Sequence, residues 1–128
     1  MPMAPLPPAI VDGRAIERLR RLGLPTGASG SDLVTELVDG FLVEVPDKLN
    51  RIAKALSEED FLKAHRFAHS LVSAASNLGA VGVVKAARTL ESVLRLKSRE
   101  ESEQAYLGLK HEFDLAAPEL SRERQKAS

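Results

Sequence analysis

Cysteine is absent from all 128 residues, which excludes disulfide staples, thiolate metal sites and cysteine nucleophiles. That absence fits a reducing compartment, and a cytoplasmic location is the expectation. An excess of charge of either sign is also missing, since 18 lysines and arginines balance 18 aspartates and glutamates. A general nucleic-acid binder needs surplus cations to displace counterions, so that class is set aside. The local basic cluster of Arg14, Arg18, Arg20 and Arg21 reads as a solvated helix face. No run of about 18 apolar residues is present, so no membrane span is expected. The segment from Met1 to Pro8 lacks a basic stretch followed by an apolar one, and a signal peptide is not expected there. No β-branched run alternates with the period of a strand, and no glycine loop is built to cradle a nucleotide's phosphates.

Helical periodicity fills the space these absences leave. Residues 1–10, with four of the seven prolines, are expected to form a flexible leader. A helical bundle is expected over residues 11–120, and a frayed polar tail over 121–128. The first helix runs from about Asp12 to Leu22, turns Ile16 and Leu19 inward, and ends at Gly23 and Pro25. A loop of small residues then leads to Ser31 or Asp32 as the N-cap of a second helix. That helix carries Leu33, Leu37, Phe41 and Val45 at four-residue spacing and is predicted to stop at Pro46. A third starts there and buries Leu49, Ile52, Ala53 and Leu56. After the acidic link Glu58-Glu59-Asp60, a fourth runs from about Asp60 to Leu78 and closes at Asn77 and Gly79. Its apolar positions Phe61, Ala64, Ala68, Leu71, Ala75 and Leu78 alternate spacings of three and four, the seam of a bundle. The fifth, Val81 to about Lys97, repeats the pattern through Val83, Ala87, Leu90 and Leu94. The last, Arg99 to about Ala117, uses Tyr106, Leu109, Phe113 and Ala116 and is predicted to end at Pro118. Short links between such stripes give an all-α fold: an antiparallel up-down bundle with a four-helix core and one or two short N-terminal helices.

The chemistry-bearing candidate lies on the fourth helix. His69 follows the seam residue Ala68 by one position, about 100° further round. Its neighbours at three and four residues are His65, Arg66, Val72 and Ser73, with Leu62 and Ser76 a turn beyond. From the residues alone, an inert surface histidine and a reactive one are both open.

The segment Ala68-His69-Ser70-Leu71-Val72-Ser73-Ala74-Ala75-Ser76-Asn77-Leu78-Gly79-Ala80 resembles the phosphoacceptor signature of histidine phosphotransfer (HPt) domains. That signature runs roughly Ala-His-x-Leu-Lys-Gly-Ser-(Ser/Ala)-x-x-Leu-Gly-Ala. The resemblance extends over about residues 11–117. Phe41 to Leu49 echoes the family's Phe-to-Pro segment, Glu58-Glu59-Asp60 its acidic link, and Leu90-Glu91 its later Leu-Glu pair. It implies that His69 is the phosphoacceptor. It further implies that Val72 and Ser73 stand beside the phosphoryl group, where Arg66 reaches by its spacing three residues before His69, and that Leu62, His65 and Ser76 belong to the docking face. The implied partners are a response-regulator receiver domain, a hybrid histidine kinase, or both. No cofactor of the chain's own is expected; Mg²⁺ would sit on the receiver, beside the receiver's aspartyl phosphate and lysine. The chain would then be a phosphoryl carrier rather than an enzyme, monomeric so that its histidine face stays accessible.

Such a role asks little of the bundle. A neutral imidazole is a good nucleophile near pH 7 because histidine's reference pKa is about 6.5. Positioning and electrostatics dominate phosphoryl transfer. Two positions depart from the pattern: Val72 stands where the family has a lysine thought to stabilise the phosphoryl group, and Ser73 where it has a glycine. Arg66 is either a substitute for that lysine or a solvated surface residue, and the sequence leaves both open. A degenerate adaptor that binds a receiver or kinase without being phosphorylated is the alternative. His65 and His69 have the four-residue spacing of a zinc-binding pair; a third ligand would have to come from His111, far along the chain, or from Glu58, Glu59 and Asp60 near the helix start, and no metal is expected. Paired-carboxylate hydrolysis and a serine nucleophile are set aside for want of a convergent geometry.

Overall fold

The computed structural model describes residues 10–22 and 30–126, with side chains given from Leu33 to Arg124 in the second segment. The proline-rich leader over residues 1–9, the loop over 25–29 and the capping role of Ser31 or Asp32 lie outside the described residues. Among the described residues five helices follow in order: α1 (Gly13–Leu22), α2 (Gly30–Ser57), α3 (Phe61–Asn77), α4 (Val81–Leu94) and α5 (Arg99–Lys126). Helix α2 packs on α3, α3 on α4, α4 on α5, and α5 back on α2, closing a four-helix bundle. The predicted all-α architecture is what is found, and among the described residues α1 is the short N-terminal helix, packed against α2. No described helix is long and apolar enough to cross a membrane.

The second and third predicted helices are one. Helix α2 passes through Pro46 without a break. Proline removes the N–H that would bond the carbonyl of Leu42 and costs about 3 kcal/mol in a helix interior. Against that, Val34, Val38, Phe41, Val45, Leu49, Ile52 and Leu56 form one continuous buried stripe across the proline. Burying an aliphatic or aromatic side chain contributes about 1.5–3 kcal/mol, so the residues on either side outweigh the local penalty. The longer helix also resets the inward face. A strict four-residue repeat drifts round the helix, whereas alternating threes and fours hold one face, and this brings Val34 and Val38 inside in place of Leu33 and Leu37.

The same competition decides the C-terminus. The predicted stop at Pro118 and frayed tail from Ser121 give way to a helix that runs on to Lys126. Leu109, Phe113, Ala116 and Leu120 make the buried stripe that carries α5 across the proline. Beyond it, Arg20 of α1 donates to Glu123 at 3.0 Å and Arg124 pairs with Asp39 of α2 at 2.7 Å. The Phe41 and Phe113 rings meet 5.7 Å apart, tying α2 to α5 in the core.

Two turns orient α3 and the face it presents. Asp60 caps its start, its side chain accepting from the Lys63 amide. At its end the Ala80 amide donates to the Ala75 carbonyl and the Gly79 amide to Ser76, the paired bonds of a Schellman stop. Gly79 sits at φ +69, in the left-handed region where a side chain is costly. It is also a docking point: its carbonyl accepts from the Asp12 amide at 2.6 Å, and a Cβ there would lie 2.5 Å from the Asp12 carbonyl oxygen. Glycine is therefore required twice over, once for the turn and once for the approach of α1.

Candidate functional site

Helix α3 buries Ala64, Ala68, Leu71 and Ala75, which turns the next flank toward the outer edge of its seam with α4. Small residues on that seam let the two helices approach closely. The alanine at 68 fixes the histidine after it on the rim. His69 is the result: its side chain is 73% exposed, on a backbone held by a buried neighbour.

Glu91 of α4 lies beside it. Its Oε2 is 3.1 Å from His69 Nδ1 and 3.5 Å from His65 Nε2, while the Glu91 side chain itself is only 13% exposed. The two imidazole rings stand nearly parallel, 6.3 Å apart at 6°. A carboxylate oxygen only accepts, so Nδ1 of His69 is the nitrogen that carries hydrogen. In the neutral ring Nε2 then keeps its lone pair, on the ring edge remote from the carboxylate. The geometry thus presents a nucleophilic nitrogen outward on a ring held from behind.

The other candidate residues distribute round this centre. His65 is half-buried against Glu91, and Leu62, one turn earlier, is 64% exposed. Leu62, His65 and Phe61 share a small apolar cleft with Leu94, Arg95 and Lys97 of α4 and the turn after it. Val72 is partly buried against the core, and Ser73 is exposed. Ser76 opens onto a second cleft with Asp12, Ala15 and Arg18 of the α1 region and Val84, Lys85 and Arg88 of α4. Arg66 is exposed, about 60° round α3 from His69 on the side facing solvent. His65, His69, Val72 and Ser76 are therefore gathered along the α3–α4 seam, and Arg66 stands apart from it. Among the described residues no three histidine, aspartate or glutamate side chains are set out to hold a metal ion.

Glu91 is the residue whose position sequence reasoning did not supply. It was legible as half of a Leu-Glu pair, not as the partner of His69. The signal was available in the turn: His69 and Glu91 stand eleven residues either side of Ala80, and two antiparallel helices joined by so short a link bring equidistant residues together. Arg88 and Arg95, one turn to either side of Glu91, are placed by the same register.

The family model described as the Hpt domain matches residues 36–119, well over half of the chain and the whole of α3 and α4. No curated protein and no solved structure matches the chain.

Proposed function

Because the chain belongs to the Hpt domain family, whose members are phosphoryl carriers of phosphorelays, we propose that His69 accepts a phosphoryl group from a receiver-domain aspartate and relays it to another receiver. The observation that carries the reading is the pairing of an exposed imidazole with a shielded carboxylate at its Nδ1. In the transfer, the Nε2 lone pair attacks phosphorus and the bond from phosphorus to the aspartyl oxygen breaks, its electron pair staying on the aspartate. No proton need leave the ring, since Nδ1–H stays directed at Glu91. The ring gains positive charge as the N–P bond forms, and Glu91 lies where a negative charge stabilises it.

The rest of the work falls to the partner. The receiver brings Mg²⁺ and a lysine to its own aspartate, so this chain supplies a rigid nucleophile and a docking surface. Leu62 and the cleft beside His65 provide apolar area next to the reacting nitrogen, as a transient docking face requires.

The test is phosphoryl labelling by a phosphorylated receiver. Acid-labile, alkali-stable phosphate is expected on the wild type and not on His69→Gln. Val72 in place of a lysine favours a second reading, an adaptor that binds a receiver without being phosphorylated. Tight receiver binding with no label on the wild type would replace the first reading with the second.

A further inference from the structure

Position 72, one helical turn after His69, is where the resembled signature carries a lysine, and here it is a valine packed against the core. A phosphoryl group on Nε2 of His69 would carry negative charge with no cation on α3 within the seam to meet it. The question is which residue of the molecule faces that space.

The register of α3 against α4 answers it. At one point along the seam His69 meets Glu91. About two turns further, Ser76 shares a cleft with Val84 and Arg88. The helices run antiparallel, so the turn between these two points sets Val72 opposite Arg88. Arg88 precedes Glu91 by three residues and projects from the same flank of α4. It is exposed, and among the described residues its guanidinium makes no hydrogen bond or ion pair, only its backbone carbonyl accepting from Ser92. The other cations fit less well. Lys85 lies a further turn from His69, Arg95 lies toward the cleft around Leu62 and His65, and Arg66 faces solvent on the outer side of α3.

Resting on the reading of His69 as phosphoacceptor, we propose that Arg88 supplies from α4 the cation that α3 lacks at position 72, holding the phosphoryl oxygens on His69. A guanidinium offers two parallel N–H donors to a phosphoryl group, so an arginine reaching across the seam gives charge and orientation together. Glu91 then holds the ring from behind while Arg88, one turn away on the same helix, meets the charge in front. The valine at 72 leaves that space to Arg88.

The experiment compares Arg88→Ala, Arg88→Lys, Arg66→Ala and the double variant Val72→Lys/Arg88→Ala in the full chain. Each is charged by a phosphorylated receiver and, separately, by phosphoramidate, a small phosphoryl donor. Arg88→Ala is expected to slow charging by the receiver at least ~10-fold with its melting temperature unchanged, Arg88→Lys to fall between, and Val72→Lys to restore the rate to the Arg88→Ala background. Rescue from the opposite helix is a result that a purely structural role of Arg88 would not give. A rate for Arg88→Ala within twofold of wild type, a larger loss for Arg66→Ala, or no rescue by Val72→Lys would overturn the assignment to Arg88. Failure of the wild type to take phosphate on His69 from either donor would instead remove the phosphoacceptor reading, and this inference with it.

Discussion

Glu91 Oε2 stands 3.1 Å from His69 Nδ1 and 3.5 Å from His65 Nε2, so one carboxylate oxygen serves two parallel imidazoles from the next helix. The arrangement gives His69 a defined tautomer although its side chain is mostly in solvent. A histidine free in solution favours hydrogen on Nε2; the carboxylate reverses that preference here by accepting from Nδ1.

Glu91→Ala should undo this. The expected outcome is a shift of His69 toward the Nε2–H tautomer, seen in its ring nitrogen chemical shifts, together with a roughly 10- to 100-fold slower phosphorylation. An unchanged tautomer and rate would show that Glu91 merely caps a surface contact. Because the substitution opens the seam by only one side chain, the melting temperature serves as the control for packing.

Much of this is legible in the sequence. The alternating threes and fours of α3 and α4 gave their buried faces residue by residue, because on short helices with small seam residues local pattern and tertiary packing agree. Pro46 and Pro118 misled because proline is a local signal, and the buried stripes that outvote it extend over many turns. The site divides along the same line. His69, His65, Val72 and Ser76 share a helix, and their common face follows from spacing. Glu91 and Arg88 reach that face from α4, and only the register between helices places them. Arg66 drew attention as the cation nearest in sequence, yet it lies outside the seam.

Gly79→Ala is expected to destabilise the fold by about 2–4 kcal/mol in urea denaturation, since the residue combines a left-handed φ with a backbone contact too close for a Cβ. A loss below about 1 kcal/mol would mean that α1 simply moves aside. Hydrogen exchange at the Asp12 amide, which donates to the Gly79 carbonyl, separates these outcomes.

Asp12 makes α1 sensitive to acid. Hydrogen bonds from the Arg14 side chain and backbone hold its carboxyl below the usual 3.8. A depressed folded value means the stabilisation is complete above the unfolded value and is lost as pH falls through the folded one. Asp12→Asn should therefore differ most from wild type near neutrality, and the difference in urea midpoint should close below about pH 3.8. A difference that widened on acidification would reverse the assignment.

Glu59 occupies the same turn position after α2 that Gly79 occupies after α3. It sits at φ 55, while the Asp60 amide donates to Ala55 and the Glu59 amide to Leu56. A non-glycine residue in this conformation costs about 1 kcal/mol, and its side chain is exposed. Glu59→Gly is expected to raise stability by about 0.5–1 kcal/mol, read as a higher melting temperature. No gain would mean that the added freedom of the unfolded chain offsets the relief.

A substitution at Leu62 tests docking apart from chemistry. It is exposed beside the His65 cleft, one turn before the histidine that contacts Glu91, and no ion pair or hydrogen bond at the His69–Glu91 pair involves it. Leu62→Asp should thus leave labelling of His69 by phosphoramidate at the wild-type rate, because a small donor needs no docking face. Labelling by a phosphorylated receiver should fall at least ~10-fold, since a charge placed in the apolar part of an interface costs more than 1 kcal/mol. Equal losses with both donors would place Leu62 in support of the His69 ring. No loss with either would move the receiver's footprint to the Ser76 side of the histidine, over the cleft that Arg18 and Arg88 line.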